Sequence, residues 1–277
     1  MTNDDVKIAS NIFGPDVSTI KSKTPRRKPL PVIDDYIEIP CVLVQNQQNV
    51  TLAINGITVN SLQFLITISR NLYYRRGHYI PARNMEFYKI AIDSIVTVYN
   101  QVGFTIKCIH CDNEFRPLVN FAASKHHITM NYANLQEHVP EVERNNRVIN
   151  ERCRATFHRL PFTYLTKILV KYMVTEAAKK LNFFPAKYGV SNYYSPRMIL
   201  HQQNLDYEKH CKFALGTYVQ GYNEPLRKNT SSERSLDCIY LRYHASKQGG
   251  RELLKQNCKI YFKSLLFISL KSDTEVD

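Results

Sequence analysis

Two short acidic motifs are the residues of this chain best suited to chemistry. Asp112 follows the apolar segment 104–110, whose alternation predicts a buried strand, so its carboxylate is expected at the carboxyl end of that strand. Glu143 follows after 30 intervening residues and is predicted to open a helix. Carboxylates at a strand end and on a nearby helix can hold divalent metal ions, which stabilise the attacking and leaving oxygens of phosphoryl transfer. The pattern indicates metal-assisted chemistry on a phosphate ester.

A third carboxylate, which this chemistry usually takes from an earlier strand, is missing from the expected place. After Glu38 the next acidic residue is Glu86, so the strands predicted between them carry none. Other interpretations of the two acidic residues stay open at this point. Asp112 followed by asparagine is also a common turn sequence. Glu143 shares the first turn of its helix with Glu141, where the helix dipole favours any acidic residue.

Hydrophobic periodicity predicts the elements that position these residues. They are strands at 50–56, 62–70 and 72–80, a helix at 84–102, a strand at 104–111, a short helix, a strand at 128–132, and helices at 141–160 and 164–181. Asn84 is the predicted N-cap of the first helix, and Gly77 indicates a bulge or an early end of the third strand. The apolar stripe of the first helix comprises Phe87, Ala91, Ile95, Val98 and Val102. This order predicts an α/β fold, with a mixed sheet flanked by helices.

Three regions are predicted along the chain. Residues 1–44 are a basic, proline-containing N-terminal segment, 45–200 a core domain and 201–277 a small β-barrel-like region. The prolines of 21–31 favour a linker, although its clustered Lys and Arg are also typical of a nuclear-import signal or a DNA tether. Short strands at 213–219, 237–243 and 259–262 are the basis of the barrel prediction.

Composition narrows the class of protein. A formal net charge of +13 and a pI near 9.4 favour a polyanionic partner. No apolar run approaches the roughly 20 residues that a membrane span needs, so we expect no membrane association and a nuclear or cytoplasmic location. The seven cysteines have no framework spacing and are expected to be free thiols. Cys108 and Cys111 would point to opposite faces of a strand, so we predict no zinc site.

The two acidic motifs resemble those of copia-type long-terminal-repeat retrotransposon integrases, which are ribonuclease-H-like polynucleotidyl transferases. The run 112–115 is similar to the family's strand-end motif Asp-Asn-Gly-x-Glu-Phe, without the glycine and one further residue. The run 143–147 matches the family's Glu-Arg-x-Asn-Arg motif at a helix start. The resemblance extends through 182–197, where the family's chain leaves the catalytic core, and through 213–265, which is similar to its small barrel. The family's amino-terminal zinc module has no counterpart here.

This resemblance implies a ribonuclease-H-like mixed sheet flanked by helices, followed by a small β-barrel. It implies catalytic roles for Asp112, Glu143 and Asn55, with Asp112 and Glu143 as ligands of Mg²⁺ or Mn²⁺. Asn55 takes the place of the family's first catalytic aspartate and brings no negative charge to the metal. A loss of ~4 kcal/mol of transition-state stabilisation would slow the reaction about 10³-fold. We expect an impaired integrase-like transferase or an inactive DNA-binding remnant.

Basic residues beside the expected metal site are candidates for nucleic-acid binding. We predict that Arg144, Arg147 and Lys180 contact DNA phosphates, which would position DNA without reading its sequence. A charge-rich helix face that is merely solvated is the alternative. The expected partner is DNA, and the resemblance also implies a homo-oligomer. A decayed copy of a retrotransposon would explain the missing aspartate, the shortened motif and the missing zinc module, whereas a host protein that has recruited the fold is a further alternative.

Overall fold

The structure is a computed structural model that describes residues 2–14, 16–22, 35–133, 139–222, 233–243, 250–255, 260–263 and 265–266. The chain divides into two compact units. One is Asp34–Leu205, and the other combines Met1–Ile33 with Asp206–Asp277. All three predicted catalytic residues belong to the first unit.

The helices and strands of the described residues are, in chain order, α1 (Asn3–Phe13), α2 (Val17–Ser22), α3 (Cys41–Asn46), β1 (Asn49–Val59), β2 (Leu62–Ser69), β3 (Arg75–Ile80), α4 (Met85–Gln101), β4 (Thr105–Cys111), α5 (Val119–His126), β5 (Thr129–Tyr132), α6 (Pro140–His158), α7 (Lys167–Lys180), α8 (Pro196–His201), α9 (Tyr207–His210), β6 (Tyr218–Tyr222), β7 (Ser235–Tyr243), β8 (Arg251–Lys255), β9 (Ile260–Lys263) and β10 (Leu265–Leu266). Two short 3₁₀ helices, Asn113–Leu118 and Leu181–Phe183, complete the set.

The first unit contains a five-stranded mixed sheet with the order β3-β2-β1-β4-β5. β1, β2 and β3 pair antiparallel, whereas β4 pairs parallel with β1 and β5 parallel with β4. Helices flank this sheet, as the sequence predicted. The strand order and directions are consistent with the ribonuclease-H-like sheet that the family resemblance implied.

A two-residue turn fixes the register of β1 against β2. Asn60 and Ser61 both have positive φ, 45° and 62°, which is the pattern of the tight hairpin turn that matches strand twist. Asparagine adopts this conformation more readily than most residues because its short polar side chain can bond to the local backbone. Val59 therefore faces Leu62, and Asn55 lies opposite Ile66 further along the ladder.

One face of the sheet, which we call the α4 face, carries the larger apolar core. Ile54, Leu65 and Ile109 project from it and pack against α4. Asn84 caps that helix as predicted, because its side chain accepts a hydrogen bond from the Glu86 backbone N–H. The predicted apolar stripe was only partly right, since the buried residues of α4 are Tyr88, Ala91, Ile92, Ile95, Val96 and Tyr99.

The opposite face, which we call the α6 face, is covered by α6 and α7. Ala53, Ile68 and Val142 form one apolar cluster there. Phe64 and Ile66 of β2 are also fully buried on this face. β3 begins at Arg75, three residues later than predicted, and Gly77 is a regular ladder residue opposite Ile66 rather than a bulge. A Cβ at Gly77 would lie 3.2 Å from the Ile66 Cδ1 atom, so the glycine avoids a tight contact with its cross-strand partner.

The second unit contains a five-stranded sheet of order β10-β6-β7-β8-β9, in which every described pairing is antiparallel. The pairings that the structure describes leave β9 and β10 at the two edges, so they show an open sheet, and the barrel stays a prediction. β8 was not predicted. Its Glu252 is almost fully buried, which is unusual for a charged residue, and forms an ion pair with Arg242 at 2.9 Å. Of the predicted linker 21–31, the first two residues end α2 and the rest lies outside the described residues.

Two further sequence expectations concern cysteines and membranes. The described cysteines are all free thiols, namely Cys41, Cys108, Cys111, Cys153, Cys211 and Cys238. Among the described residues, no helix has the length and apolar character needed to cross a bilayer.

Candidate active site

The parallel pairing of β1 with β4 brings two of the predicted catalytic residues to one edge of the sheet. The last printed pair of that ladder is Ile54 with Cys111. Asn55 is the next residue of β1, whereas Asp112 directly follows the end of β4, and both are half-buried. Because the two strands are parallel neighbours, equivalent positions lie side by side. Asn55 and Asp112 therefore each follow a residue of that last pair, at the same edge of the sheet.

Strand alternation determines which face these two residues share. Ala53 pairs with His110, and Ala53 packs against Val142 of α6. Residues two positions apart on a strand project from the same face. Asn55 and Asp112 therefore belong to the α6 face. Ile54 and its partner Cys111 project into the apolar core on the other side.

The segment after Asp112 is held by a buried aromatic side chain. Phe115 is fully buried, and its ring meets the Tyr88 ring edge-on with the centroids 5.2 Å apart. Its backbone N–H donates to the Asp112 carbonyl oxygen at 3.1 Å. The 3₁₀ helix that begins at Asn113 thus starts at a fixed point, and the phenylalanine of the sequence motif serves to anchor Asp112.

A second carboxylate, Glu114, lies at the same edge but on the α4 face. A Cβ at Gly56 would lie only 3.0 Å from the Glu114 Oε1 atom, so the absence of a side chain at Gly56 makes room for this carboxylate. Burial, followed by the charge of Asp112, raises the pKa of Cys111 to about 12, which keeps its thiol protonated. No role was predicted for Glu114, although the glycine after Asn55 is a sequence signal for close approach.

Glu143 lies in the first turn of α6, next to Val142, and is exposed. Val142 is fully buried against Ala53 and Ile68, so this turn is seated directly on the α6 face of β1 and β2. Glu141 points elsewhere, because two residues correspond to about 200° around a helix. Its carboxylate accepts a hydrogen bond from Arg70 Nε at 2.7 Å. The two glutamates of this turn therefore occupy different surroundings.

The donor types at this edge suit a hard divalent cation. Asp112, Glu143 and Asn55 offer only oxygen, which Mg²⁺ and Mn²⁺ prefer. The Oδ1 atom of Asn146, one turn beyond Glu143, is buried and has no hydrogen-bond partner among the described residues, which leaves one more oxygen for a ligand. Within the described residues, no three His, Cys, Asp or Glu side chains come together as a metal-holding group. The carboxylate count is thus short of the usual three.

The predicted DNA contacts are distributed over two helices. Arg144 and Arg147 are exposed on the first two turns of α6. Lys180 is half-buried and is the last residue of α7. Arg144 directly follows Glu143, and Arg147 lies about one helical turn after it. Lys180 belongs to the other helix that covers this face.

Among known proteins, this chain has similar solved structures but no matching sequence family. No protein-family model matches the chain, and no curated protein sequence matches it. Among solved structures, the chain is similar to one described as the crystal structure of the catalytic core domain of BIV integrase. The identity is 17%, the match covers 55% of this chain and 93% of that one, and the TM-score is 0.42.

Proposed function

We propose that this chain is an integrase-like polynucleotidyl transferase that acts on DNA, with activity impaired by Asn55. The observation that carries the proposal is the parallel pairing of β1 with β4, whose last pair, Ile54 with Cys111, directly precedes Asn55 and Asp112. The first turn of α6 packs on the same sheet through Val142. A strand-end carboxylate, a neighbouring oxygen donor and a helix-borne glutamate are the parts that metal-assisted phosphoryl transfer needs.

Each residue has a separate role in this proposal. Asp112 and Glu143 would hold Mg²⁺ or Mn²⁺, with the Asn55 amide as a weak third ligand. When bound, the ion stabilises negative charge on the attacking and leaving oxygens of the phosphodiester. Arg144 and Arg147, exposed beside Glu143, would hold the DNA backbone, and Lys180 would extend that surface along α7.

The second candidate is a catalytically inactive DNA-binding remnant of a retrotransposon integrase. The specific observation in its favour is the neutral amide at position 55, because two carboxylates hold a divalent ion less well than three. The copia-type origin, the small barrel, the homo-oligomeric state and the nuclear or cytoplasmic location belong to both versions of the proposal.

Strand transfer in Mg²⁺ or Mn²⁺ on short duplexes with terminal-repeat ends tests the proposal. We expect weak activity or none from the native chain and a gain on the order of 10³-fold from Asn55→Asp, which restores the third carboxylate. Asp112→Asn in the Asn55→Asp background should abolish that gain, since it removes a metal ligand.

Two glutamates of α6 provide a matched pair of variants in the same background. Glu143→Gln should abolish transfer, whereas Glu151→Gln, an exposed change on the same helix, should leave it intact. If every variant is inert but the native chain binds DNA with a steep salt dependence, the remnant is the correct description. A native chain as active as Asn55→Asp would show that the role given to Asn55 is wrong.

A further inference from the structure

A cleft of about 200 Å³ opens on the side of α6 away from Glu143. The end of β2, the turn into β3 and the first turns of α6 form its walls. Its charged lining consists of Arg70, Arg75, Arg144 and Glu141. Three arginines and one glutamate leave a net charge of +2 in a small concave space. Such a cleft attracts anions.

Only one of these arginines has a carboxylate partner among the described residues. Arg70 Nε donates to Glu141 Oε2 at 2.7 Å, so these two charges neutralise each other. The positive charge that remains is carried by Arg75 and Arg144. Arg144 is exposed at the mouth, whereas Arg75 is half-buried.

Among the described residues, the hydrogen bonds of the Arg75 guanidinium go to neutral oxygens, and the guanidinium also lies 5.9 Å from the centroid of the Tyr73 ring. Its Nε donates to Asn145 Oδ1 at 2.8 Å and its Nη1 donates to the Tyr73 carbonyl oxygen at 3.0 Å. No carboxylate of the described residues forms an ion pair with it. Burial lowers the pKa of Arg75, because the guanidinium has lost part of its hydration. An anion in the cleft would supply a counter-ion.

Asn145 supplies an unused donor to the same space. Its side chain is 3% exposed, and its Oδ1 is committed to Arg75. This bond fixes the orientation of the amide, so the other atom is the Nδ2 donor. Nδ2 is buried and has no hydrogen-bond partner among the described residues. Buried donors are rarely left unpaired, so a missing acceptor is the simplest explanation.

We propose that this cleft binds a phosphate group, held by Arg75, Arg144 and the Asn145 amide. A phosphate has several acceptor oxygens and matches the planar fork of a guanidinium. The cleft is below the range of about 300–1,000 Å³ typical of sites for larger ligands. The phosphate can be inorganic phosphate or belong to a DNA backbone, since both present the same chemistry. The site shares Arg144 with the DNA surface proposed above but no metal ligand, so it does not rest on the transferase activity.

Titration of the full chain with inorganic phosphate tests the site directly. Calorimetry and thermal unfolding would be run at constant ionic strength, with chloride as the competing anion. We expect phosphate to raise the melting temperature and Arg144→Gln to weaken phosphate binding about tenfold. Asn145→Asp has nearly the same shape but adds a negative charge beside Arg75, so it should abolish phosphate binding and raise stability without phosphate. Arg154→Gln, an exposed change further along α6, should bind phosphate as the native chain does.

A DNA arm identifies the source of the phosphate. Fluorescence anisotropy of a short duplex would be measured with and without phosphate at constant ionic strength. Displacement of DNA by phosphate in the native chain but not in Asn145→Asp would place a backbone phosphate in the cleft, because Asn145 has no part in the DNA surface proposed above. Phosphate binding without displacement would identify free phosphate as the ligand. If phosphate gives neither heat nor a higher melting temperature and Arg144→Gln binds DNA like Arg154→Gln, the proposal is overturned.

Discussion

The two faces of the first sheet are built from the same strands but differ in what they bury. On the α4 face, Ile54, Leu65 and Ile109 belong to one large apolar core. On the α6 face the same strands bury Phe64, Ile66 and Ile68 but also carry Asn55 and lead to Asp112. Strand alternation allows this division, because neighbouring residues project to opposite sides. The candidate chemistry thus belongs to the α6 face, whereas both faces contribute apolar burial to stability.

Acid should destabilise the α4 face most, because two half-buried histidines, His78 and His201, lie on it. Burial lowers the pKa of His78 and of His201 to about 4. His78 pairs with Leu65, and His201 Nε2 lies 3.1 Å from the Tyr74 hydroxyl. The ordinary pKa is 6.5, so between pH 6.5 and 4 the unfolded chain binds more protons than the folded one. Each histidine should therefore remove on the order of 3 kcal/mol of unfolding free energy as the pH falls through this window.

Urea unfolding at several pH values between 4 and 7.5 measures this loss. His78→Gln and His201→Gln should each flatten the dependence of the unfolding free energy on pH. His127→Asn is the matched control, because His127 is exposed and has a φ of 56° that asparagine tolerates. Equal pH dependence in all three variants and the native chain would contradict the assignment.

Truncations on the two faces sharpen the comparison. Phe115→Ala empties a fully buried ring site on the α4 face and should cost about 3–5 kcal/mol of unfolding free energy. Val142→Ala removes two methyl groups from the smaller cluster on the α6 face and should cost about 1–2 kcal/mol.

Activity should separate the same two variants differently. Measured in the Asn55→Asp background at a temperature where both are folded, Val142→Ala should lower kcat more than KM changes, because Val142 seats the turn that carries Glu143. Equal losses of kcat from Phe115→Ala and Val142→Ala would show that the candidate chemistry does not belong to the α6 face alone.

The smallest effect is expected from the ion pair on the α6 face. The Arg70 and Glu141 side chains are 40% and 48% exposed, so their contact at 2.7 Å is well solvated. Glu141→Gln should change the unfolding free energy by less than about 1 kcal/mol, and that change should shrink in 1 M salt. Chemical denaturation at low and high salt measures it. A loss of several kcal/mol would mean that the pair is far less solvated than its exposure indicates.

Much of the first unit could be predicted from local patterns. The hairpin of β1 and β2, the capping of α4 by Asn84 and the approximate bounds of α6 and α7 follow from periodicity and end signals. The errors arose where tertiary contacts override those signals. Gly77 was interpreted as a bulge or an early strand end but is a regular ladder residue opposite Ile66, and β8, whose Glu252 is buried against Arg242, was not predicted.

The candidate sites, too, could be predicted from the sequence only in part. The motifs around Asp112 and Glu143 are contiguous, so sequence reasoning could find them and could set Asn55 against the missing aspartate. The phosphate cleft could not be found in this way. Arg75 and Asn145 are 70 positions apart, and only their hydrogen bond at 2.8 Å shows that they belong together.

The sequence by itself determined most helices and strands of the first unit, the basic charge and the absence of a carboxylate between Glu38 and Glu86. These features depend on residue type and local spacing alone. Only the tertiary structure decided which residues meet. Parallel pairing brought Asn55 and Asp112 to the same edge of the sheet, and the packing of Val142 placed the first turn of α6 over their face. The same packing left Arg75 without a carboxylate partner among the described residues. Such contacts join segments far apart in the chain, so no local pattern encodes them.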